Sequence, residues 1–159
     1  MSVRVGFGYD VHRLQKGRRL ILGGLHIPSE VGLLGHSDAD VLLHAITDAV
    51  LGALALGDIG ALYPDTDAAW KDADSGELLK GALAKVHELG WQVGNIDATV
   101  VLERPKLRPH IDAMRERIAG LLGVSSDAVS VKATTSEQMG FVGTREGAAA
   151  YAVCTVVRN

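Results

Sequence analysis

The chain has 159 residues, 47% hydrophobic but only 4% aromatic, and carries a formal charge of −3 at pH 7. This length fits one compact domain over residues 1–159, with a core drawn mainly from Leu, Val, Ile and Ala. A mildly acidic chain without a Lys/Arg block excludes duplex nucleic acid and anionic membranes as partners, because both need a concentrated basic surface. It does not exclude a phosphorylated small molecule, which metals and backbone N–H groups can bind.

The N-terminal residues lack a signal-peptide pattern, and Val3–Asp10 alternates as a first strand. Arg19–Leu22 and Leu25–Ile27 form a hairpin around Gly23-Gly24. Gly32–Asp38 reads as a glycine-containing loop. From Asp40 to Leu56 the pattern is helical, with Val41, Leu42, Ala45, Ile46, Ala49 and Val50 on a broad apolar face. Asp38 or Asp40 caps its start and Gly57 ends it. Its apolar run Ala45–Leu56 contains Asp48 and is too short to span a bilayer. The expected location is therefore the cytoplasm of a bacterium, or a plastid-type organelle after removal of a transit peptide.

Gly57–Ala73 is a loop holding four aspartates and a proline. Asp74-Ser75-Gly76-Glu77 resembles a capping box opening a helix to Leu89, closed by Gly90. Gln92–Leu102 is a strand, Arg108–Leu122 a helix closed by Gly123, and Val129–Ala133 and Ala148–Val157 two further strands. Cys154 is the only cysteine, so neither an intrachain disulfide nor a cysteine-rich zinc site is possible. Within its apolar strand it reads as a small core residue. The order of elements predicts an α/β fold, an α+β two-layer sandwich with a mixed sheet packed on helices.

Asp10 and His12 stand one residue apart at the end of the first strand, so both side chains project to one face. Asp40, His44 and Asp48 recur every four residues and make a polar stripe on the long helix. One Asp and two His suit Zn²⁺, with a fourth position open to substrate. A buried, hydrogen-bonded core histidine is the other reading of His44. His36 sits in Gly35-His36-Ser37-Asp38-Ala39-Asp40, just before the helix N-terminus, where phosphate is favoured. His36 and Ser37 then add donors beside a phosphate, or the segment is a capping loop with an exposed histidine. His26, His87 and His110 read as surface or core histidines.

Six segments in register resemble one enzyme family over nearly the whole chain. They are Phe7-Gly8-Tyr9-Asp10-Val11-His12, the run His36–His44, Leu56–Gly60 with Tyr63–Asp67, Arg104-Pro105-Lys106-Leu107, Lys132–Glu137 and Gly140–Gly143. The family is that of the 2-C-methyl-D-erythritol 2,4-cyclodiphosphate synthases of the non-mevalonate isoprenoid pathway, phosphorus–oxygen lyases. The resemblance implies that Asp10, His12 and His44 bind Zn²⁺ or another divalent transition metal, and that Glu137 binds Mg²⁺ or Mn²⁺. It implies catalytic roles for His36 and Thr135. Substrate contacts would come from Asp10, Val11, His12, His36 and Ser37. The erythritol end would meet Asp58, Ile59, Gly60, Tyr63, Pro64, Asp65, Thr66 and Asp67. The cytidine end would meet Leu102, Glu103, Arg104, Pro105, Lys106, Leu107 and Arg108, together with Ala133, Thr134, Thr135, Ser136, Glu137 and Phe141.

The implied reaction takes 4-diphosphocytidyl-2-C-methyl-D-erythritol 2-phosphate, closes a cyclic diphosphate and releases CMP. No Ser–His–Asp or Cys–His arrangement is found, and none is needed, since a phosphate monoester is already anionic near neutral pH. The family resemblance also implies a homotrimer with active sites shared between subunits, and an isoprenoid diphosphate as a possible ligand of the central cavity. Here the sequence departs: Thr144 stands where the family commonly has the arginine facing that cavity, and Arg145 follows. If this segment is extended, a one-residue displacement turns Arg145 away. The competing functions are a zinc-dependent phosphohydrolase and a non-catalytic nucleotide-binding trimer. A fusion with the preceding cytidylyltransferase would need a longer chain.

Overall fold

A computed structural model describes residues 1–159. A long strand β1 (Ser2–Lys16) is followed by a hairpin of β2 (Leu20–Leu22) and β3 (Leu25–Ile27), then by β4 (Val31–Leu34). Helix α1 (Val41–Ala53) and the short α2 (Ile59–Leu62) precede α3 (Ser75–Glu88). The second half runs β5 (Gln92–Val101), α4 (Ile111–Leu122), β6 (Val129–Thr134), the short α5 (Gly140–Gly143) and β7 (Gly147–Arg158). Five strands form one sheet in the order β4-β1-β7-β5-β6, mixed because only the β5–β6 pair is parallel. The mixed sheet and its helices match the fold class the sequence predicts.

Helices cover one face of the sheet. Helix α1 buries nearly all of its length, including every residue of the predicted apolar face. Each large aliphatic side chain buried this way contributes roughly 1.5–3 kcal/mol. The helix lies unusually close to β1 because Gly6 and Gly8 face it without side chains. A Cβ at Gly6 would overlap the Ala49 carbonyl, and one at Gly8 the Ala45 carbonyl. By the period of two, Asp10 and His12 continue this glycine face toward α1. The opposite face of β1 and β7 carries Val3, Val5, Phe7, Tyr9, Tyr151 and Val153, all exposed.

The hairpin forms where predicted, and both Gly23 and Gly24 take positive φ, at 60° and 76°. Asp40 caps α1: its carboxylate accepts from Leu43 N at 3.0 Å and also from Gly23 N and Gly24 N at 3.1 and 2.7 Å. One buried carboxylate thereby joins the helix start to the hairpin turn. Burial pushes the Asp40 carboxyl up to about 6, against the pull of these N–H donors. Cys154 is a buried core residue, as predicted, and burial pushes its thiol up to about 11.

Several boundaries differ from the sequence reading. The predicted loop Gly32–Asp38 begins as strand β4, antiparallel to the end of β1. Gly32 is needed there because a Cβ would overlap the Arg18 and Arg19 carbonyls. Helix α1 ends at Ala53 rather than Leu56, and Ala55 takes a left-handed φ of 56°. The acidic loop contains α2, whose N-cap is Asp58. The segment around Thr144 is not extended. Thr144 ends α5, its Oγ1 donating to Gly140 O at 3.1 Å, and Arg145 adopts φ 62°. The alternation argument for the direction of Arg145 therefore does not apply. No helix is long and apolar enough to cross a membrane.

Candidate active site

Asp10 and His12 of β1 and His44 of α1 meet between strand and helix. Asp10 Oδ2 lies 2.9 Å from His12 Nε2 and 3.1 Å from His44 Nδ1, and the two nitrogens are 3.2 Å apart. Ligands about 2.0–2.2 Å from a tetrahedral Zn²⁺ stand ~3.3 Å from one another, close to this spacing.

The hydrogen bonds behind the rings fix what faces inward. His12 Nδ1 lies 3.1 Å from Leu34 O, an acceptor, so Nδ1 carries the proton and Nε2 presents a lone pair. His44 Nε2 lies 2.8 Å from Ser75 Oγ and 3.2 Å from Ser37 Oγ. Ser75 Oγ itself donates to Asp38 Oδ1, so its free lone pair accepts from His44 Nε2–H, and His44 Nδ1 is the bare atom. Two nitrogen lone pairs and a carboxylate oxygen thus converge, an arrangement that fits a divalent cation. The electrostatics agree. Burial pushes the Asp10 carboxyl up, but the two imidazoles outweigh it and bring it down to about 2. Burial pushes His44 down, and Asp10, joined by Asp40 and Asp38, more than reverses this, so the imidazole is raised above its ordinary value.

The triad opens into a cleft of about 470 Å³ lined also by Gly35, His36, Ser37, Ile59, Gly60, Tyr63, Pro64, Asp65, Trp70 and Leu78. Gly35 lets the backbone approach His12: a Cβ there would lie 3.0 Å from His12 Cε1. His36 Nε2 is held 2.9 Å from Asp67 O, and Tyr63 donates to Leu78 O at 2.9 Å while packing edge-on to Trp70. Asp58 and Asp67 each use an oxygen to cap a short helical turn, through Ala61 N and Ala69 N at 2.8 and 2.9 Å. Of the predicted erythritol-side aspartates, Asp65 is the one whose side of the loop lines the cleft. Thr66 does not line it. Asp48, on the predicted stripe, instead accepts from Ile59 N at 2.7 Å and anchors α2.

A second cleft, of about 860 Å³, lies at the C-terminal ends of β5 and β6. It takes in Leu102, Glu103, Pro105, Lys106, Leu107 and Arg108 from one predicted segment and Ala133, Thr134 and Thr135 from the other. Arg104, Ser136 and Glu137 stand outside its lining; Ser136 N donates to Glu103 Oε1 at 2.7 Å, and Glu137 N to Thr135 Oγ1 at 3.2 Å. Glu137 is exposed, with φ 52°. The two clefts share no residue. Val11 and Phe141 belong to neither; they line a third hollow with Tyr9, Arg13, Glu146 and Gly147.

The family model for the YgbB family matches residues 3–157. The chain belongs to the YgbB family. A relative from Salinibacter ruber, a 2-C-methyl-D-erythritol 2,4-cyclodiphosphate synthase, is 64% identical over 97% of this chain and 98% of its own length. Among solved structures, the bifunctional IspDF of Campylobacter jejuni superposes with a TM-score of 0.94 at 46% identity. That match covers 98% of this chain but 42% of the longer protein. A cyclodiphosphate synthase in its CDP-bound form superposes at 0.90 with 40% identity, over 97% of this chain and 100% of that one. Membership of the YgbB family bears out the resemblance stated from the six sequence segments. The sequence reading missed Trp70, Ser75 and Leu78. Ser75 stood in the predicted capping box, but its hydroxyl serves His44 while Asp74 caps the helix.

Proposed function

We propose that this chain converts 4-diphosphocytidyl-2-C-methyl-D-erythritol 2-phosphate to 2-C-methyl-D-erythritol 2,4-cyclodiphosphate and CMP. The observation that carries this reading is the convergence of the Asp10, His12 and His44 lone pairs inside the cleft lined by His36, Ser37 and Asp65. A bond forms between a 2-phosphate oxygen and the β-phosphorus. The bond from that phosphorus to the α-bridging oxygen breaks, its electron pair leaves with CMP, and no water enters.

Asp10, His12 and His44 would hold the transition metal, zinc by donor type, which supplies Lewis-acid polarisation of a phosphate when bound. Glu137, an exposed carboxylate beside Thr135, would hold Mg²⁺ or Mn²⁺, which would supply charge neutralisation to the diphosphate. His36 and Thr135 act as donors to the transferring phosphoryl group. Asp65 with the 58–67 segment receives the erythritol hydroxyls, and the 102–108 and 133–137 segments receive the cytidine end. Holding the substrate folded for in-line attack supplies much of the acceleration, with ~7–11 kcal/mol the range for ideal orientation.

The proposal includes a homotrimer whose active sites pair the metal cleft of one subunit with the nucleotide cleft of the next. Two observations support it. The clefts share no residue, and β7 and β5 stand between the Asp10 and Ala133 positions, which lie in one row across the sheet. The exposed row Val3, Val5, Phe7, Tyr9, Tyr151 and Val153 is a continuous apolar face of the kind that marks an interface. An isoprenoid diphosphate in the trimer's central cavity would meet Thr144 rather than a guanidinium at that position, with Arg145 exposed on the adjoining turn.

The test is incubation with the diphosphocytidyl substrate, Zn²⁺ and Mg²⁺, followed by mass detection. CMP plus a cyclic diphosphate is expected. A product heavier by one water would make the protein a phosphohydrolase, and metal uptake without turnover would make it a binding protein.

A further inference from the structure

Resting on that functional reading, we propose that Arg18 is a positioning residue that holds the Gly35–Ser37 segment of the metal cleft in its working geometry. Arg18 lies in the turn between β1 and β2, and its half-buried guanidinium touches no reacting group. Its Nε donates to Leu33 O at 2.5 Å, and its Nη2 to Gly35 O at 3.3 Å and Ser37 O at 2.7 Å. These carbonyls belong to alternate residues, and the one guanidinium collects all three. Of the intervening carbonyls, Leu34 O accepts from His12 Nδ1 at 3.1 Å in the cleft, and His36 O accepts from Asp72 N at 2.7 Å in the neighbouring loop.

Strand β4 is the edge of the sheet and stops at Leu34, so no neighbouring strand is available to residues 35–37. The planar fork of Arg18 takes that neighbour's place. A lysine could supply the charge, but not donors spread across these carbonyls in a fixed plane. No carboxylate pairs with Arg18, so its charge remains available to the anion-binding cleft behind which it sits. The residue thereby acts twice through others: on His12, whose tautomer depends on Leu34 O, and on His36 and Ser37, which line the cleft.

Arg18→Ala and Arg18→Lys, loaded with Zn²⁺ and Mg²⁺, test this against the wild type. In Arg18→Ala, kcat should fall roughly 10–100-fold with KM changed less than about threefold, as for a misplaced catalytic group. Arg18→Lys should recover only a small part. Millimolar guanidinium should raise kcat of Arg18→Ala and not that of the wild type. Amide hydrogen exchange of residues 33–38 should accelerate in Arg18→Ala while α1 stays protected. Unchanged kcat, or unchanged exchange in that segment, overturns the proposal; so does full activity in Arg18→Lys, which would leave only a charge effect. If the wild type makes no cyclic product, the functional reading fails, whereas the exchange comparison still decides whether Arg18 holds the loop.

Discussion

His44 Nε2 donates to Ser75 Oγ across 2.8 Å, and this bond decides which nitrogen His44 turns toward Asp10. Ser75 hands its own proton to Asp38, so it accepts from the imidazole rather than donating to it. Supporting groups of this kind typically alter metal affinity 10–100-fold. Ser75→Ala should weaken Zn²⁺ binding by roughly 10–100-fold without unfolding the chain. Competition with a chromophoric chelator measures the affinity, and an unchanged value would show that Ser75 does not orient the ring.

Protons and metal compete for His44. Its pKa is raised above 6.5, because Asp10, with Asp40 and Asp38, outweighs the burial that would lower it. The metal needs the neutral ring, so metal binding releases a proton. Affinity should therefore drop as pH falls, and the drop should begin above the pH at which an ordinary imidazole titrates, about 6.5. Asp10→Asn removes the carboxylate that raises His44 most and should shift the onset to lower pH, besides weakening the site. Isothermal titration in buffers of different ionisation enthalpy counts the protons released; a count of zero near pH 6.5 would contradict the competition.

That Asp10 and His12 share a face was legible because strand periodicity puts alternate residues on one side. That His44 lies on the polar stripe of α1 was legible from the helix's caps and apolar face, but its joining Asp10 and His12 came only with the family resemblance. Strand β4 was not, since Gly32 signals a loop locally while its reason for being glycine is the distant Arg18–Arg19 backbone. Arg18 and Ser75 were hidden for the same cause: their partners lie 15 to 19 and 31 residues away, and nothing in the sequence near either one marks them. The acidic loop misled in another way. Asp58 and Asp67 read as substrate acceptors, yet each also caps a turn, a role that only the local fold exposes.

The tight approach of α1 to β1 links core packing to the site. Gly8→Ala drives a methyl group into the carbonyl of Ala45, the residue that follows His44 in α1. Overpacking of this kind typically costs 1–3 kcal/mol, and a backbone clash belongs at the upper end, about 3 kcal/mol. Relief requires α1 to move away from β1, which separates His44 from Asp10. Gly8→Ala should thus lose both stability in urea and Zn²⁺ affinity. Gly120→Ala is the control: its Cβ meets nothing within 4 Å at an exposed position of α4, and it should gain roughly 0.5–1 kcal/mol. Normal metal affinity in a destabilised Gly8→Ala would uncouple packing from the site.

Subunit mixing tests whether the two clefts work in pairs. His44→Ala damages the metal cleft but leaves Glu137 and the nucleotide cleft intact; Glu137→Ala does the reverse. Each protein alone should be nearly inactive, and the first should lose zinc while the second keeps it. His44 is buried beside Asp10 rather than packed in the apolar cluster, so its loss should leave the circular dichroism spectrum of the fold in place. If sites form head to tail between subunits, a complete one arises wherever a Glu137→Ala metal cleft faces a His44→Ala nucleotide cleft. In a statistically mixed ring this occurs at about one quarter of the interfaces. Activity should recover to about that fraction of wild type after exchange, in the presence of both metals. Exchange is verified independently by native mass spectrometry of tagged subunits. Mixed rings with no recovered turnover would place both halves of the site within one chain, and the exposed apolar face of β1 and β7 would then need another occupant.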